Sequence, residues 1–369
     1  MTTFTSLGIA DTFLKALDEN NIHEPTEIQK KAIPFLLTKG TDLVAQAQTG
    51  TGKTAAFGLP LLQKVDPNNK AVQALILSPT RELGQQIAKQ LFRFTKYGPR
   101  VFVEAVYGGA KIDEQIKALL RPTQILVATP GRLIDLLERN AVSLSDVKTI
   151  VLDEADEMLS MGFKKELDEI LTQTAGQRHT WLFSATMPPE IKEIINKYLS
   201  SDAHKIQVDK ANIVNKDIEH FFTVCDDKAK LDRLLQFLKE QGENRGVIFC
   251  KTKAGADTLA KQLYSKNIAA EALHGDLLQK DRDKVMRAFK NLKVQVLIAT
   301  DLAARGIDVE NLSYVVHYQL PEQLEYYTHR SGRTARAGKK GISLSLINNK
   351  ELGRVRVIEN NLGISIREL

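Results

Sequence analysis

The sequence predicts an α/β protein of two domains, each a mostly parallel sheet flanked by helices. Three observations predict it. The chain has 369 residues, and single hydrophobic cores stop growing near roughly 250–300 residues. Short apolar runs alternate with longer amphipathic stretches from end to end, as when parallel strands are joined by helical crossovers that cover both faces. A polar stretch at 209–217, DKANIVNKD, interrupts that alternation just past the middle. It reads as a short linker between a domain over 1–208 and a second over 218–369, short enough to keep the domains close and able to reorient.

In the first half, strands are expected over 42–47, 74–79, 102–107, 124–129, 149–153 and 180–184, with helices such as 82–97 and 132–140 between them. The second half repeats the scheme, with strands over 221–225, 246–250, 269–274, 295–300, 314–318 and 342–346 and helices such as 228–241 and 279–289. The most apolar runs, 74–77 and 296–299, are far below the about 20 residues of a membrane span. Trp181, Met158 and Met161 read as core packing. Ligands of such sheets bind at the carboxyl ends of the strands, and the motifs below fall there.

Composition narrows the class. The chain is 43% hydrophobic and 26% charged, as in soluble globular proteins. No basic start followed by an apolar stretch opens it, so no signal peptide is expected. Cys225 and Cys250 are too few for a disulfide framework or a cysteine-built metal site, and read as buried thiols of a reducing compartment. The expected location is the cytoplasm and the expected core a monomer away from membranes. Residues 1–208 carry 24 basic and 24 acidic side chains, whereas 209–369 carry 27 and 21, so the net charge of +6 sits wholly in the second half. That points to a polyanionic partner for that half.

Ala47-Gln48-Thr49-Gly50-Thr51-Gly52-Lys53-Thr54 follows the first strand and precedes an apolar helix at 55–62. This is a P-loop in its strand–loop–helix setting. Glycines let backbone N–H groups turn toward phosphate oxygens, and the helix N-terminus adds a favourable dipole. Lys53 is placed to reach the β- and γ-phosphates and the Thr54 hydroxyl to ligate Mg²⁺. The pattern departs once: Ala47 stands where the first glycine is usual. Asp153-Glu154-Ala155-Asp156 ends an apolar strand. Asp153 is placed to hold Mg²⁺ through water, and Glu154 to orient and deprotonate an attacking water.

With that tetrad, the sequence resembles the DEAD-box ATP-dependent RNA helicases of helicase superfamily two, over essentially the whole chain. The resemblance implies two tandem RecA-like domains. Pro25-Thr26-Glu27-Ile28-Gln29 resembles the Q motif, in which Gln29 would read the adenine edge and Thr26 support the P-loop; an amide can pair with adenine N6 and N7, a pattern guanine does not present, so ATP is expected over GTP. Phe4 matches an upstream aromatic that stacks on adenine. Ser184-Ala185-Thr186 resembles motif III, which with Asp156 couples hydrolysis to RNA binding. In His329-Arg330-Ser331-Gly332-Arg333-Thr334-Ala335-Arg336, which resembles motif VI, Arg333 and Arg336 match arginine fingers, and His329 would contact motif III and the hydrolytic water. Ser331 and Ala335 differ from the commonest family residues there. In the motif V-like 299–308, Asp308 would accept from ribose hydroxyls, Arg305 lie near the phosphates, and Thr300 and Gly306 face RNA.

The resemblance also supplies an RNA path: Pro79-Thr80-Arg81 as motif Ia, the Gly108-Gly109 doublet, Thr129-Pro130-Gly131-Arg132 as motif Ib, 247–250 as motif IV, and His274-Gly275-Asp276 with Gln279 and Arg282. Hydroxyls, N–H groups and arginines there suit phosphate oxygens. Few aromatics accompany them, which favours backbone contacts without sequence preference. The expected function is RNA-stimulated ATP hydrolysis coupled to domain closure, with local, non-processive unwinding of short duplexes or RNP remodelling. The alternative is an ATP-dependent RNA clamp or assembly scaffold that unwinds little. Protein partners in RNP or ribosome assembly accord with either. A DNA helicase or translocase is the other rival, disfavoured by the Q motif and the literal DEAD tetrad. The chain stops soon after the last expected elements of the second domain; target choice in the family usually lies in extensions beyond that point.

Overall fold

The computed structural model describes residues 2–38, 41–47, 50–174, 176, 178–208, 217–304, 312–322, 324–335 and 340–369. The chain divides into two compact units, Met1–Val208 and Asp209–Leu369.

The first unit is built on seven strands: β1 Leu43–Gln46, β2 Ala74–Leu77, β3 Val103–Val106, β4 Ile125–Ala128, β5 Thr149–Leu152, β6 His179–Ser184 and β7 His204–Gln207. Their order across the sheet is β3-β4-β2-β5-β6-β1-β7, with every neighbouring pair parallel. Successive side chains point to opposite faces of a strand, and both faces are covered. Ile76, Val127 and Val151 pack beneath the helices Glu27–Thr38, Lys53–Lys64 and Arg81–Phe94. Leu75, Leu126 and Leu152 pack beneath Pro130–Glu138, Lys164–Gln173 and Pro189–Tyr198 on the other side. Each such aliphatic side chain contributes about 1.5–3 kcal/mol on burial, so the central strands read as unbroken apolar runs.

The second unit repeats this layout with β8 Ile218–Val224, β9 Gly246–Phe249, β10 Ala270–Leu273, β11 Val296–Ala299, β12 Tyr314–His317, β13 Gly341–Ile347 and β14 Ile366–Glu368. Its order, β10-β11-β9-β12-β13-β8-β14, is that of the first sheet with each number raised by seven, and again all pairs are parallel.

The observed strands mostly stop one or two residues inside the expected bounds, because residues such as Ala47, Pro79 and Asp153 leave the ladder to begin loops. Two strands escaped the sequence reading. β7 buries only Ile206, and β14 only Ile366. Both are sheet edges whose remaining side chains face water, so neither carries an apolar run. Trp181 and Met158 are buried, while Met161 is half-exposed. Among the described residues, no helix is long and apolar enough to cross a membrane.

The strand order sorts the motifs. At the carboxyl edge of the first sheet, the loops after β5, β6 and β1 carry the DEAD tetrad, Ser184–Thr186 and the P-loop side by side. The loops after β3, β4 and β2 carry Gly108-Gly109, Thr129–Arg132 and Pro79–Arg81 together. In chain order the second set is one run that splits the P-loop from the other two members of the first; topology brings the P-loop back beside them.

Candidate functional site

On the first side, Ala47 N donates to Ser184 O at 3.0 Å. The chain then turns through Gly50 (φ 84°) and Gly52 (φ 90°) into the helix Lys53–Lys64. Gln48 and Thr49 lie outside the described residues, and Thr51 is half-buried. A Cβ on Gly52 would fall 2.4 Å from Gln29 Nε2 and 3.1 Å from Thr26 Oγ1. Gln29, 2% exposed, donates from Nε2 to Gly52 O at 3.0 Å and accepts at Oε1 from Thr26 N at 2.9 Å. The Q-motif amide thus straps the P-loop glycine to the turn that opens the preceding helix. Phe4 is 4% exposed and packs with Leu7 and Ile9, so in this structure its ring is committed to the core.

Lys53 Nζ lies 3.8 Å from Asp153 Oδ1, with side chains 5% and 3% exposed, and makes no hydrogen bond among the described residues. A buried ammonium without hydrogen-bond partners is costly. Burial pushes the Asp153 carboxyl up to about 6, against the pull of Lys53 and with the help of Glu154 and Asp156. Thr54, next to Lys53 in sequence, is half-buried. One carboxylate with one hydroxyl suits magnesium, which keeps several waters and rides on phosphate oxygens instead of a side-chain cage.

Glu154 occupies the left-handed region, φ 52° and ψ 52°, at the start of the helix Ala155–Ser160. For a residue other than glycine that costs on the order of 1–3 kcal/mol. The corner turns Glu154 away from the strand direction that Asp153 continues. Asp156 Oδ2 accepts from Thr186 N and Thr186 Oγ1, each at 2.8 Å. Ser184 Oγ accepts from Asp156 N at 3.2 Å and donates to Thr186 O at 2.7 Å. The tetrad and motif III therefore form one hydrogen-bonded unit.

On the second side, Thr80 caps the helix Arg81–Phe94 by accepting from Leu83 N. The Arg81 guanidinium lies 4.6 Å from the ring centre of Tyr107, whose hydroxyl accepts from Gln85 Nε2 at 2.6 Å. Tyr107 leads into Gly108 and Gly109, the latter at φ 82°. Arg132, only 9% exposed, donates from Nη1 to Gln115 Oε1 at 2.8 Å and from Nη2 to Ala110 O at 3.0 Å. Gln115 also brackets Tyr107, accepting from its N and donating to its O at 3.0 Å. The Arg132 fork is thus turned inward as the buttress of the glycine turn. Pro130 opens its helix, and beside it Gly131 has open space where a Cβ would stand. Tyr107 and Gln115 were not legible as site residues: one ends an apolar strand and the other sits mid-helix.

In the second unit, Lys253 Nζ meets Asp276 Oδ1 at 2.5 Å, and that hydrogen bond holds the exposed Asp276 carboxyl below its usual range. Lys253 opens a helix capped by Thr252, beside Gly275; neither Lys253 nor Thr252 stood out in the sequence. Gln279 donates to Asp283 at 2.8 Å, Arg282 is half-buried and Thr300 is 9% exposed at the end of β11. Arg333 is half-buried and donates from Nε to His329 O at 3.2 Å. Arg305, Gly306, Asp308 and Arg336 lie outside the described residues.

Residues 26–194 match the DEAD/DEAH box helicase domain family, and residues 229–338 the helicase conserved C-terminal domain family. The DEAD-box ATP-dependent RNA helicase CshA of Bacillus cereus is 43% identical over 359 residues, covering 97% of this chain and 68% of that protein. The chain belongs to the DEAD-box ATP-dependent RNA helicases. Among solved structures, S. cerevisiae Dbp5 bound to RNA and ADP BeF3 is similar with a TM-score of 0.90 at 29% identity, covering 100% of this chain and 96% of that one. A DEAD box protein from the hyperthermophile Methanococcus jannaschii is 42% identical, with a TM-score of 0.59 and coverage of 100% and 99%. The two parallel seven-stranded sheets are the tandem RecA-like domains of this helicase family.

Proposed function

We propose that this DEAD-box helicase hydrolyses ATP when bound to a single RNA strand, and that closure of its two RecA-like domains separates short duplexes locally. The observation that carries the reading is the Lys53 ammonium, buried 3.8 Å from Asp153 and lacking any hydrogen-bond acceptor among the described residues. That is a position waiting for phosphate oxygens.

In this reading Lys53 holds the β- and γ-phosphates, and Thr54 with Asp153 holds magnesium, which when bound neutralises phosphate charge. Glu154 orients the attacking water and takes its proton. Gln29 and Thr26 hold Gly52 so that the loop keeps its phosphate-binding shape. The second domain supplies Arg333 and Arg336 to the γ-phosphoryl on closure, a contribution of about 10³–10⁵ in rate where such fingers have been removed. RNA lies over Thr80, Arg81, Gly108, Gly109, Thr129 and Gly131 of one domain and Gly275, Gln279, Arg282 and Thr300 of the other, gripped by backbone. Both ligands favour the closed arrangement, which is a shift of population by differential affinity. Asp156, Ser184 and Thr186 pass closure between the two sides.

The experiment pairs RNA-stimulated ATP turnover with displacement of a short labelled RNA duplex. Lys53→Ala and Glu154→Gln are expected to abolish turnover. Full-rate turnover in Glu154→Gln would refute the role of that carboxylate, and displacement without ATP would refute the coupling.

A further inference from the structure

Motif VI contains an arginine buried within the second unit. Arg330 is 3% exposed. Its Nε and Nη2 donate to Asp301 Oδ1 and Oδ2 at 2.5 and 2.7 Å, and its Nη1 to Gln319 O at 2.9 Å. The guanidinium sits over the Phe249 ring, 5.1 Å from its centre. Nη1 also lies 3.4 Å from His317 Nδ1. A guanidinium only donates, so Nδ1 is the acceptor there and the proton of a neutral His317 is on Nε2. That nitrogen is 3.1 Å from Ser343 Oγ and 3.3 Å from Ser331 Oγ, and the two hydroxyls are 2.9 Å apart. Tyr327 stacks on His317 with ring centres 4.6 Å apart and planes 8° apart, and its hydroxyl meets His220 Nδ1 at 2.9 Å.

The sequence explains the assembly. His220, His317, Ser343 and Ser345 share one face of β8, β12 and β13, since Ser343 pairs with His220 and Ser345 with His317 in register. Tyr327, Arg330 and Ser331 share one face of the helix Leu324–Ser331 by their spacing of three and four. Polar face meets polar face, and all seven side chains are at most 4% exposed. Asp301 begins the helix directly after Thr300, and the turn that follows Ser331 carries Arg333.

We propose that Arg330 and Asp301 are positioning residues: a buried strut that fastens motif V to motif VI and so presents Arg333 to the γ-phosphoryl. Ser331, one of the two residues by which this motif departs from the commonest pattern, is the polar seat of that strut through Ser343 and His317. This rests on the reading of Arg333 as an arginine finger. The strut suits a guanidinium alone, because a lysine ammonium cannot make the two parallel bonds to Asp301 and a third to Gln319. Burial and the neighbouring Arg330 cation both hold His317 well below its usual range, which keeps it the neutral acceptor this network needs.

The test measures RNA-stimulated kcat, KM for RNA, affinity for a fluorescent ATP analogue without RNA, and thermal unfolding. The proteins are the full chain with Arg330→Lys, Asp301→Asn, Arg333→Ala and the double variant Arg330→Lys with Arg333→Ala. Misplacing a catalytic group by about 1 Å costs on the order of 10²-fold. Arg330→Lys and Asp301→Asn are therefore expected to lower kcat about 10- to 100-fold while analogue affinity stays within about two-fold. In the Arg333→Ala background, Arg330→Lys is expected to lower kcat no further. A kcat unchanged by Arg330→Lys, or a loss of equal size in the Arg333→Ala background, overturns the strut. Full kcat in Arg333→Ala alone overturns instead the finger reading beneath it. If Arg330→Lys fails to fold, Asp301→Asn alone and combined with Arg333→Ala decides the same question, because it leaves Arg330 in place.

Discussion

The Lys53 ammonium and the Asp153 carboxylate lie 3.8 Å apart, buried together at the start of the helix Lys53–Lys64 and at the end of β5. The pair is not a comfortable one. Even beside Lys53, burial holds the Asp153 carboxyl up at about 6, against an ordinary value of 3.8.

That raised value has a sign that can be tested. A carboxyl whose folded value exceeds its unfolded one favours folding at pH below the unfolded value, and the contribution is lost as pH rises through the folded value. Between about 4 and 6, the ligand-free protein thus loses stability as Asp153 ionises. Asp153→Asn, which stays neutral, is expected to be more stable than the parent at pH 7.5 by on the order of 1–3 kcal/mol, with the gain shrinking at pH 5. Urea unfolding at the two pH values reads it, and a gain that ignores pH refutes the cause. The same variant is expected to lose ATP turnover.

The strap from Gln29 to Gly52 makes a second prediction. Gly52→Ala places a Cβ 2.4 Å from Gln29 Nε2 at a backbone φ of 90°. Affinity for ATP is expected to fall at least about ten-fold, the loss of about 1.4 kcal/mol that a clash plus a left-handed alanine readily exceeds. Adding Gln29→Ala removes the clash but not the dihedral strain. Thermal unfolding of the double variant should therefore recover part of the stability, while nucleotide affinity remains low.

Thr186 donates twice to Asp156, from N and from Oγ1. Thr186→Val deletes only the second. A hydrogen bond to a charged group contributes about 1.5–3 kcal/mol, so melting should drop measurably. ATP turnover with saturating RNA is expected to stay within about five-fold, while duplex displacement falls about ten-fold or more, the split that a coupling role entails. Parallel loss of both rates would place Thr186 in the chemistry itself.

Arg132 buttresses the Gly108-Gly109 turn through Gln115 and Ala110 O. Arg132→Lys is expected to weaken single-stranded RNA binding nearly as much as Arg132→Ala, about ten-fold, because only the planar fork reaches both acceptors. A direct phosphate contact predicts the opposite, near-full rescue by lysine. RNA titrations at two salt concentrations distinguish them: a lost phosphate contact flattens the salt dependence and a lost buttress does not.

Corners and turns show where the sequence stopped being legible. The left-handed backbone of Glu154 could not be read from a tetrad that any helical start would satisfy. Arg132 looked like a phosphate ligand because its neighbours Thr129-Pro130-Gly131 open a helix, yet its fork is turned inward. Phe4 packs with Leu7 and Ile9, a contact that its spacing from the Q motif does not state. Side-chain direction depends on what already fills the space beneath, and spacing carries no record of that.

By itself, the sequence determined the parallel α/β class, the P-loop in its strand–loop–helix setting, the DEAD tetrad at a strand end and the order of the motifs, because these follow from local periodicity and residue chemistry. Only the tertiary structure decided that the loops after β5, β6 and β1 gather on one side and those after β3, β4 and β2 on the other. It alone decided that Arg330 belongs to Asp301. Parallel strands are joined by long crossovers, so neighbours in the sheet are distant in the chain. Contacts between them are set by register and packing, which no stretch of sequence states.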